Sequence, residues 1–189
     1  GAVLPDDEGQ ATAIIHVSSG LTNIAVVERG VPRFNRISSL AGNTFTQAIA
    51  NVLNLTFDQA EELKVQVGLP NIETGASEEI PGVDPQYVQV VHESIEREAN
   101  KFIAEVRRSL DYYLTQTSQV RTIKRILLAG SGAQLRNLDI YLEKGLQAQV
   151  VLGDPLAHVQ VSGGSRQAVD DDRTGCVTAV GLALGGLQS

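Results

Sequence analysis

Hydrophobic and polar positions divide the chain into stretches of two different periods. Residues 11–17, 22–27 and 31–38 are short runs rich in Ile, Val and Ala, separated by Ser18-Ser19-Gly20 and by Arg29-Gly30. Short β-rich runs with tight turns between them predict an antiparallel meander. From residue 45 the apolar spacing changes to three and four. Thr44 is placed to cap a helix over 45–53, with Ile49, Val52 and Leu53 on one face. Thr56 followed three residues later by Gln59 has the spacing of a capping box, and predicts a helix over 57–67 ended by Gly68 and Pro70. Residues 68–84 combine Pro, Gly and acids and read as a surface loop. From Pro85 onward, Val88, Val91, Ile95, Ala99, Phe102, Ile103, Val106, Leu110, Tyr113 and Leu114 form one apolar stripe, predicting a long helix over 85–116. Glu93, Glu96, Glu98, Lys101, Glu105, Arg107 and Arg108 fall on its other side and read as a solvated face. A strand over 123–129, a turn at 130–132, a helix over 133–146 and a strand over 149–152 follow. Residues 160–173 read as a loop. Residues 174–187 read as a small-residue helix with Val177, Val180, Ala183 and Leu184 toward a neighbour. Residues 1–10 read as a flexible lead-in.

Composition narrows the picture. A chain of 189 residues can hold one good core, or two small subdomains sharing a long helix. Aromatic residues are 4% and Trp is absent, so the core must be aliphatic. The net charge is −7 and the basic residues are dispersed, which argues against nucleic acid as a partner. Cys176 is the single cysteine, so no internal disulfide forms; a small buried role and a reducing compartment fit it. No apolar stretch is long enough for a spanning helix, and no basic-then-apolar leader is visible, so direct membrane insertion is not expected. The chain begins with Gly1 and lacks Met. It therefore reads as a piece of a longer protein.

Three segments carry candidate chemistry. Ser18, Ser19 and Gly20, with Thr22 just beyond, form a small-residue turn between two strands, where successive backbone N–H groups can cradle phosphate oxygens. A plain hairpin turn is the competing reading. Gly130, Ser131, Gly132 and Ala133 lie between a buried strand and a helix, so free N–H groups and the positive end of a helix dipole are expected there. The Lys-Ser/Thr pair of a P-loop is missing, and so are the further glycines of a dinucleotide fingerprint. Glu61 and Lys64, three apart on one helix, read either as a surface ion pair or as groups beside a nucleoside.

In this order and at these separations, the three segments resemble the second lobe of the actin-like ATPase superfamily. Gly30-Val31-Pro32-Arg33-Phe34-Asn35-Arg36, the run from Ala41-Gly42-Asn43 to Ala50, Ala60-Glu61-Glu62-Leu63-Lys64, Gly153-Asp154-Pro155-Leu156 and the closing 178–184 are similar to the type IV pilus assembly PilM family. The resemblance implies an α/β, ribonuclease H-like lobe with a mixed sheet and flanking helices. Residues 11–44 and 121–189 would form the subdomain with the phosphate and adenosine loops, and 45–120 a helical inserted subdomain. It implies no catalytic residue and no protein metal ligand here. Nucleotide contacts would come from Ser18, Ser19, Gly20, Thr22, Glu61, Lys64, Gly130, Ser131, Gly132 and Ala133, with Glu61 on ribose hydroxyls and Lys64 beside the base.

ATP with magnesium would bind the full-length parent, because the first phosphate loop lies outside this sequence. The implied role is a cytoplasmic scaffold of the pilus inner-membrane platform, docked mainly through the absent lobe to the N-terminal segment of the membrane protein PilN and to other platform proteins. An FtsA-like cell-division filament protein and a type II secretion subunit with a decayed nucleotide site are the alternatives. A sugar-kinase-like enzyme ranks below them, since no acid is placed as a base. His16 stands where the superfamily carries a metal-organising Asp, Ser18 where it carries Gly, and Ser131 in place of the adenosine turn's second Gly. Slow or absent hydrolysis is the expected consequence.

Overall fold

The computed structural model describes residues 11–73, 80–117 and 122–153. The expected lead-in, the residues from 154 onward, the closing helix and Cys176 lie outside the described residues. Five strands form one mixed sheet: β1 (Ala11–Val17), β2 (Thr22–Glu28), β3 (Val31–Ser38), β4 (Arg125–Ala129) and β5 (Gln149–Leu152), in the order β3-β2-β1-β4-β5. β1, β2 and β3 are the expected antiparallel meander, while β4 runs parallel to β1, and β5 parallel to β4. Placement explains composition. β4 lies inside the sheet, and its Ile126-Leu127-Leu128-Ala129 are all buried, the continuous apolar run of a strand covered on both faces. β3 is an edge, mostly exposed, and its Pro32 sits opposite Val27 at a register shift, an edge and bulge position where a strand tolerates proline.

Between β3 and β4 come α1 (Gly42–Leu53), α2 (Phe57–Val67) and α3 (Pro85–Gln116); α4 (Leu138–Leu146) precedes β5. α2 has the bounds its capping box predicts. Thr56 Oγ1 accepts from Gln59 N at 3.3 Å and Gln59 Oε1 accepts from Thr56 N at 3.1 Å. α1 starts earlier than expected, at Gly42. Its first N–H groups need no side-chain cap because Gly42 N donates to Ser18 O at 3.0 Å and Asn43 N to Ser19 O at 2.7 Å. Thr44 sits inside the helix and accepts from Ala41 N at 3.1 Å.

α3 buries the predicted stripe from Val88 to Tyr113, with Leu114 half-buried. Sheet and helix residues join in one core cluster containing Ile15, Ile24, Phe45, Ile49, Ile95, Phe102, Ile126 and Leu138. The other side of α3 is not simply solvated. Glu105 pairs with Arg36 of β3 at 2.9 Å, Tyr141 OH donates to Glu96 at 2.9 Å, and Arg107 donates to Gly145 O. These charges tie α3 to the sheet edge and to α4, a job that helical periodicity cannot reveal. At the helix end Tyr113 OH donates to Glu28. Burial, then that hydrogen bond and the Glu28 charge, push its hydroxyl up to about 12.

Candidate functional site

The two turns at the C-terminal ends of β1 and β4 are pressed together. Gly130 has φ +93 and ψ 164, and an added Cβ would collide with Val17 O and lie 2.8 Å from Val17 C. At Gly132 an added Cβ would stand 2.5 Å from Val17 Cγ1. Both glycines are thus required by close packing of protein on protein. The chain after Gly130 does not enter a long helix. It makes a short 3₁₀ turn, Ser131–Gln134, and α4 begins only at Leu138. The expected helix from 133 is corrected: Leu135 leaves helical geometry, and Asn137 adopts the left-handed region before α4 starts. The Gly130–Ala133 turn is therefore not the N-terminus of α4.

α2 is moored to this turn by its C-terminal end. Arg136 Nη2 donates to Gln66 O at 2.8 Å and also to Val67 O, and Asn137 Nδ2 donates to Leu69 O at 2.6 Å. Arg and Asn here satisfy carbonyls that a helix end leaves unpaired. The mooring opens a cleft of about 240 Å³ bounded by Ser19, Gly42, Asn43, Phe45, Glu61, Lys64, Val65, Ser131, Gly132, Gln134, Leu135 and Arg136. All three candidate segments reach it, although they lie 40 to 115 residues apart along the chain.

The individual residues divide. Ser19, Glu61, Lys64, Ser131 and Gly132 line the cleft. Ser18 stands behind it, its Oγ donating to Leu21 O at 2.7 Å. Gly20 is exposed at the tip of the turn, with no atom within 4 Å of an added Cβ. Thr22 is fully buried and its Oγ1 donates to Leu40 O at 2.7 Å, so it braces the sheet and does not line the cleft. Gly130 and Ala133 are buried outside the lining. Among the described residues no acceptor is found for the N–H groups of Ser19 and Gly20, whereas Ser18 N donates to Leu21 O at 3.0 Å. The turn therefore offers two adjacent amides.

Lys64 is buried, and its Nζ donates to Glu61 Oε2 at 2.7 Å, to Thr46 Oγ1 at 2.9 Å and to Gly42 O at 3.5 Å. Thr46 Oγ1 also donates to Glu61 Oε2. Burial raises the Glu61 carboxyl, but the Lys64 and Thr46 hydrogen bonds and the Lys64 charge outweigh it and hold the carboxyl below its ordinary value. Thr46 is absent from the sequence-based set. Its signal was there: a hydroxyl on the apolar face of α1, among Phe45, Ile49 and Ala50. Arg136 had no signal, because its role depends on a contact with residues nearly seventy positions earlier.

A family model described as type IV pilus assembly protein PilM matches residues 2–187. The cell shape-determining protein MreB of Haemophilus influenzae is 27% identical over 183 residues, taking in 87% of this chain and 52% of that protein. The cell division protein FtsA of Neisseria meningitidis is 33% identical over 86 residues, 43% of this chain and 21% of that protein. Among solved structures, a PilM–PilN type IV pilus biogenesis complex is similar with a TM-score of 0.75 and 22% identity, over 96% of this chain and 47% of the solved one. MreB5 of Spiroplasma citri bound to AMPPNP is similar with a TM-score of 0.62 and 19% identity, over 93% of this chain and 52% of the other. The chain thus spans about half the length of the MreB relative and of these solved chains. Its fold is the expected actin-like one. With a match that leaves out only Gly1 and the last two residues, the chain belongs to the type IV pilus assembly protein PilM family.

Proposed function

We propose that this chain supplies one wall of an ATP site in a scaffold of the type IV pilus inner-membrane platform, cytoplasmic and held at the membrane through partners. The observation that carries the reading is the convergence of Ser19, Glu61, Lys64, Ser131 and Gly132 on one cleft. The donor set suits a nucleotide. The Ser19 and Gly20 amides would take phosphate oxygens, and the Glu61 carboxylate a ribose hydroxyl. The cleft's size supports a shared site. About 240 Å³ falls below the roughly 300–1,000 Å³ of self-sufficient ligand pockets. The opposite wall, with the first phosphate loop, would come from a lobe outside this chain. Magnesium would ride with the ATP phosphates; among the described residues no three His, Cys, Asp or Glu side chains gather as a metal site. A PilN-like segment is the proposed docking partner, by analogy with the solved PilM–PilN complex. No helix among the described residues is long and apolar enough to cross a membrane.

Titration calorimetry with ATP and magnesium tests the shared site. The whole protein is expected to bind, and the 189-residue chain alone to bind more weakly than about 1 µM, or roughly −8 kcal/mol. Tighter binding by the isolated chain would show that the site is complete within it. A second expectation concerns His16, half-buried near the end of β1, opposite Asn23 and beside Ala129. An imidazole is a poor ligand for magnesium, which prefers oxygen. Loss of one carboxylate from the outer shell of a metal typically costs about 10–100-fold in affinity or activity. His16→Asp in the whole protein should therefore raise single-turnover ATP hydrolysis within that range while ATP affinity barely moves. Equal turnover by the two proteins would remove His16 as the limiting residue.

A further inference from the structure

We infer that Thr46 is the positioning residue of the cleft, holding Lys64 as an internal clamp so that the outer oxygen of Glu61 alone reads a donor on the ligand, a ribose hydroxyl. The inference rests on the nucleotide reading above and deepens it. Three facts carry it. First, the Lys64 ammonium has three protons, and three protein acceptors face it: Glu61 Oε2, Thr46 Oγ1 and Gly42 O, at 2.7, 2.9 and 3.5 Å. A buried lysine so engaged keeps its protons on the protein, and Glu61 is the member of the pair with an oxygen open to a ligand. Second, Thr46 is fully buried on α1, and its hydroxyl accepts from Lys64 while donating to the same Glu61 oxygen. Both Glu61 contacts converge on Oε2, and among the described residues no donor reaches Oε1. The Glu61 side chain is 42% exposed and lines the cleft, so Oε1 is the acceptor it offers. An ionised carboxylate oxygen only accepts, and it therefore selects a hydroxyl or amine donor. Third, the Gly42 peptide belongs to both parts of the site. Its N–H donates to Ser18 O in the phosphate turn at 3.0 Å, while its carbonyl faces Lys64 Nζ at 3.5 Å. The clamp is thereby registered to the turn that would hold phosphate.

The test compares ATP with 2′,3′-dideoxy-ATP, by binding to the whole protein and to its Thr46→Val and Thr46→Ser variants. Wild type is expected to favour ATP by about tenfold, the effect of one hydrogen bond to a charged acceptor. Thr46→Val, which keeps the shape and removes the hydroxyl, should bring the two nucleotides within about twofold of each other, while Thr46→Ser should keep the wild-type ratio. A merely structural role would weaken both nucleotides alike and leave the ratio standing. If the valine protein does not fold, Thr46→Cys replaces it: the thiol is a weak donor in a similar volume, and its ratio should fall below that of the serine variant. A wild-type ratio near one, or a valine or cysteine variant with the wild-type ratio, overturns this inference and leaves the ATP site standing. A whole protein that binds no ATP overturns both.

Discussion

Gly130→Ala is expected to destabilise the protein by about 3–5 kcal/mol, and Gly20→Ala by under about 0.5 kcal/mol. The two glycines look alike in sequence, each within a small-residue turn at the end of a strand. They differ in what surrounds them. Gly130 has φ +93 and ψ 164, a region that only glycine enters without strain of about 1–3 kcal/mol. A Cβ there would also collide with Val17 O and stand 2.8 Å from Val17 C, and backbone atoms in a central strand cannot move aside. At Gly20 the space is open and φ is not in the left-handed region. The consequence reaches the cleft, because the contact at Gly130 places Ser131 across from Ser19. Urea melts of both variants, read as midpoint shifts at constant slope, make the comparison. Similar midpoints for the two would mean that the turns are not packed as described.

Much of the fold was legible because local chemistry and final structure agree. The capping box at Thr56 and Gln59, the Gly68 stop, Pro85 at the start of α3 and the stripe from Val88 to Tyr113 are short-range signals, and tertiary packing does not override them. Errors arose where the deciding partner is distant. α1 begins at Gly42 because carbonyls of Ser18 and Ser19, more than twenty residues earlier, cap it. The helix expected from Ala133 gives way to a 3₁₀ turn, while Arg136 and Asn137 reach back to the end of α2. The charges of α3 looked solvated because Arg36, Tyr141 and Gly145 could not be seen from its own periodicity.

The site was legible as three segments, and less so as atoms. Spacing could nominate Ser19, Glu61, Lys64, Ser131 and Gly132, since small turns and an i,i+3 ion pair are visible in a sequence. It could not tell that Thr22 points into the sheet, nor that the Gly130 requirement is for Val17. From its spacing alone the ion pair reads as either a surface pair or a ligand contact. The structure offers a third case, in which the lysine is buried and the carboxylate faces outward. Burial decides this, and burial is a property of the packed fold.

Phe102→Ala is expected to cost about 3–5 kcal/mol, the range for removing a fully buried aromatic side chain whose cavity cannot collapse. Phe102 is 1% exposed at the middle of α3, with its ring 6.4 Å from Phe45 and nearly edge-on at 73°. Such pairs add about 0.5–1.5 kcal/mol to their burial. Glu98→Ala, one helical turn away, serves as the contrast. Its partner Lys101 lies at 2.8 Å with more than half its side chain exposed, so although the Glu98 side chain is itself 12% exposed, solvent screens the pair and its loss should cost about 1 kcal/mol. The two variants should therefore differ by at least about 2 kcal/mol in urea melts. The reverse order would mean that the buried face of α3 is misassigned. The effect should not stop at stability, because Phe45 is itself a wall of the cleft. Loss of Phe102 leaves Phe45 unsupported on its inner side, with Thr46 next to it in the same turn of α1. Phe102→Leu fills more of the space and should recover part of the stability. If Phe45 transmits the defect, the leucine variant should also bind ATP more tightly than the alanine variant at a temperature where both are folded. Equal ATP affinities in folded alanine and leucine variants would confine Phe102 to the core and detach it from the site.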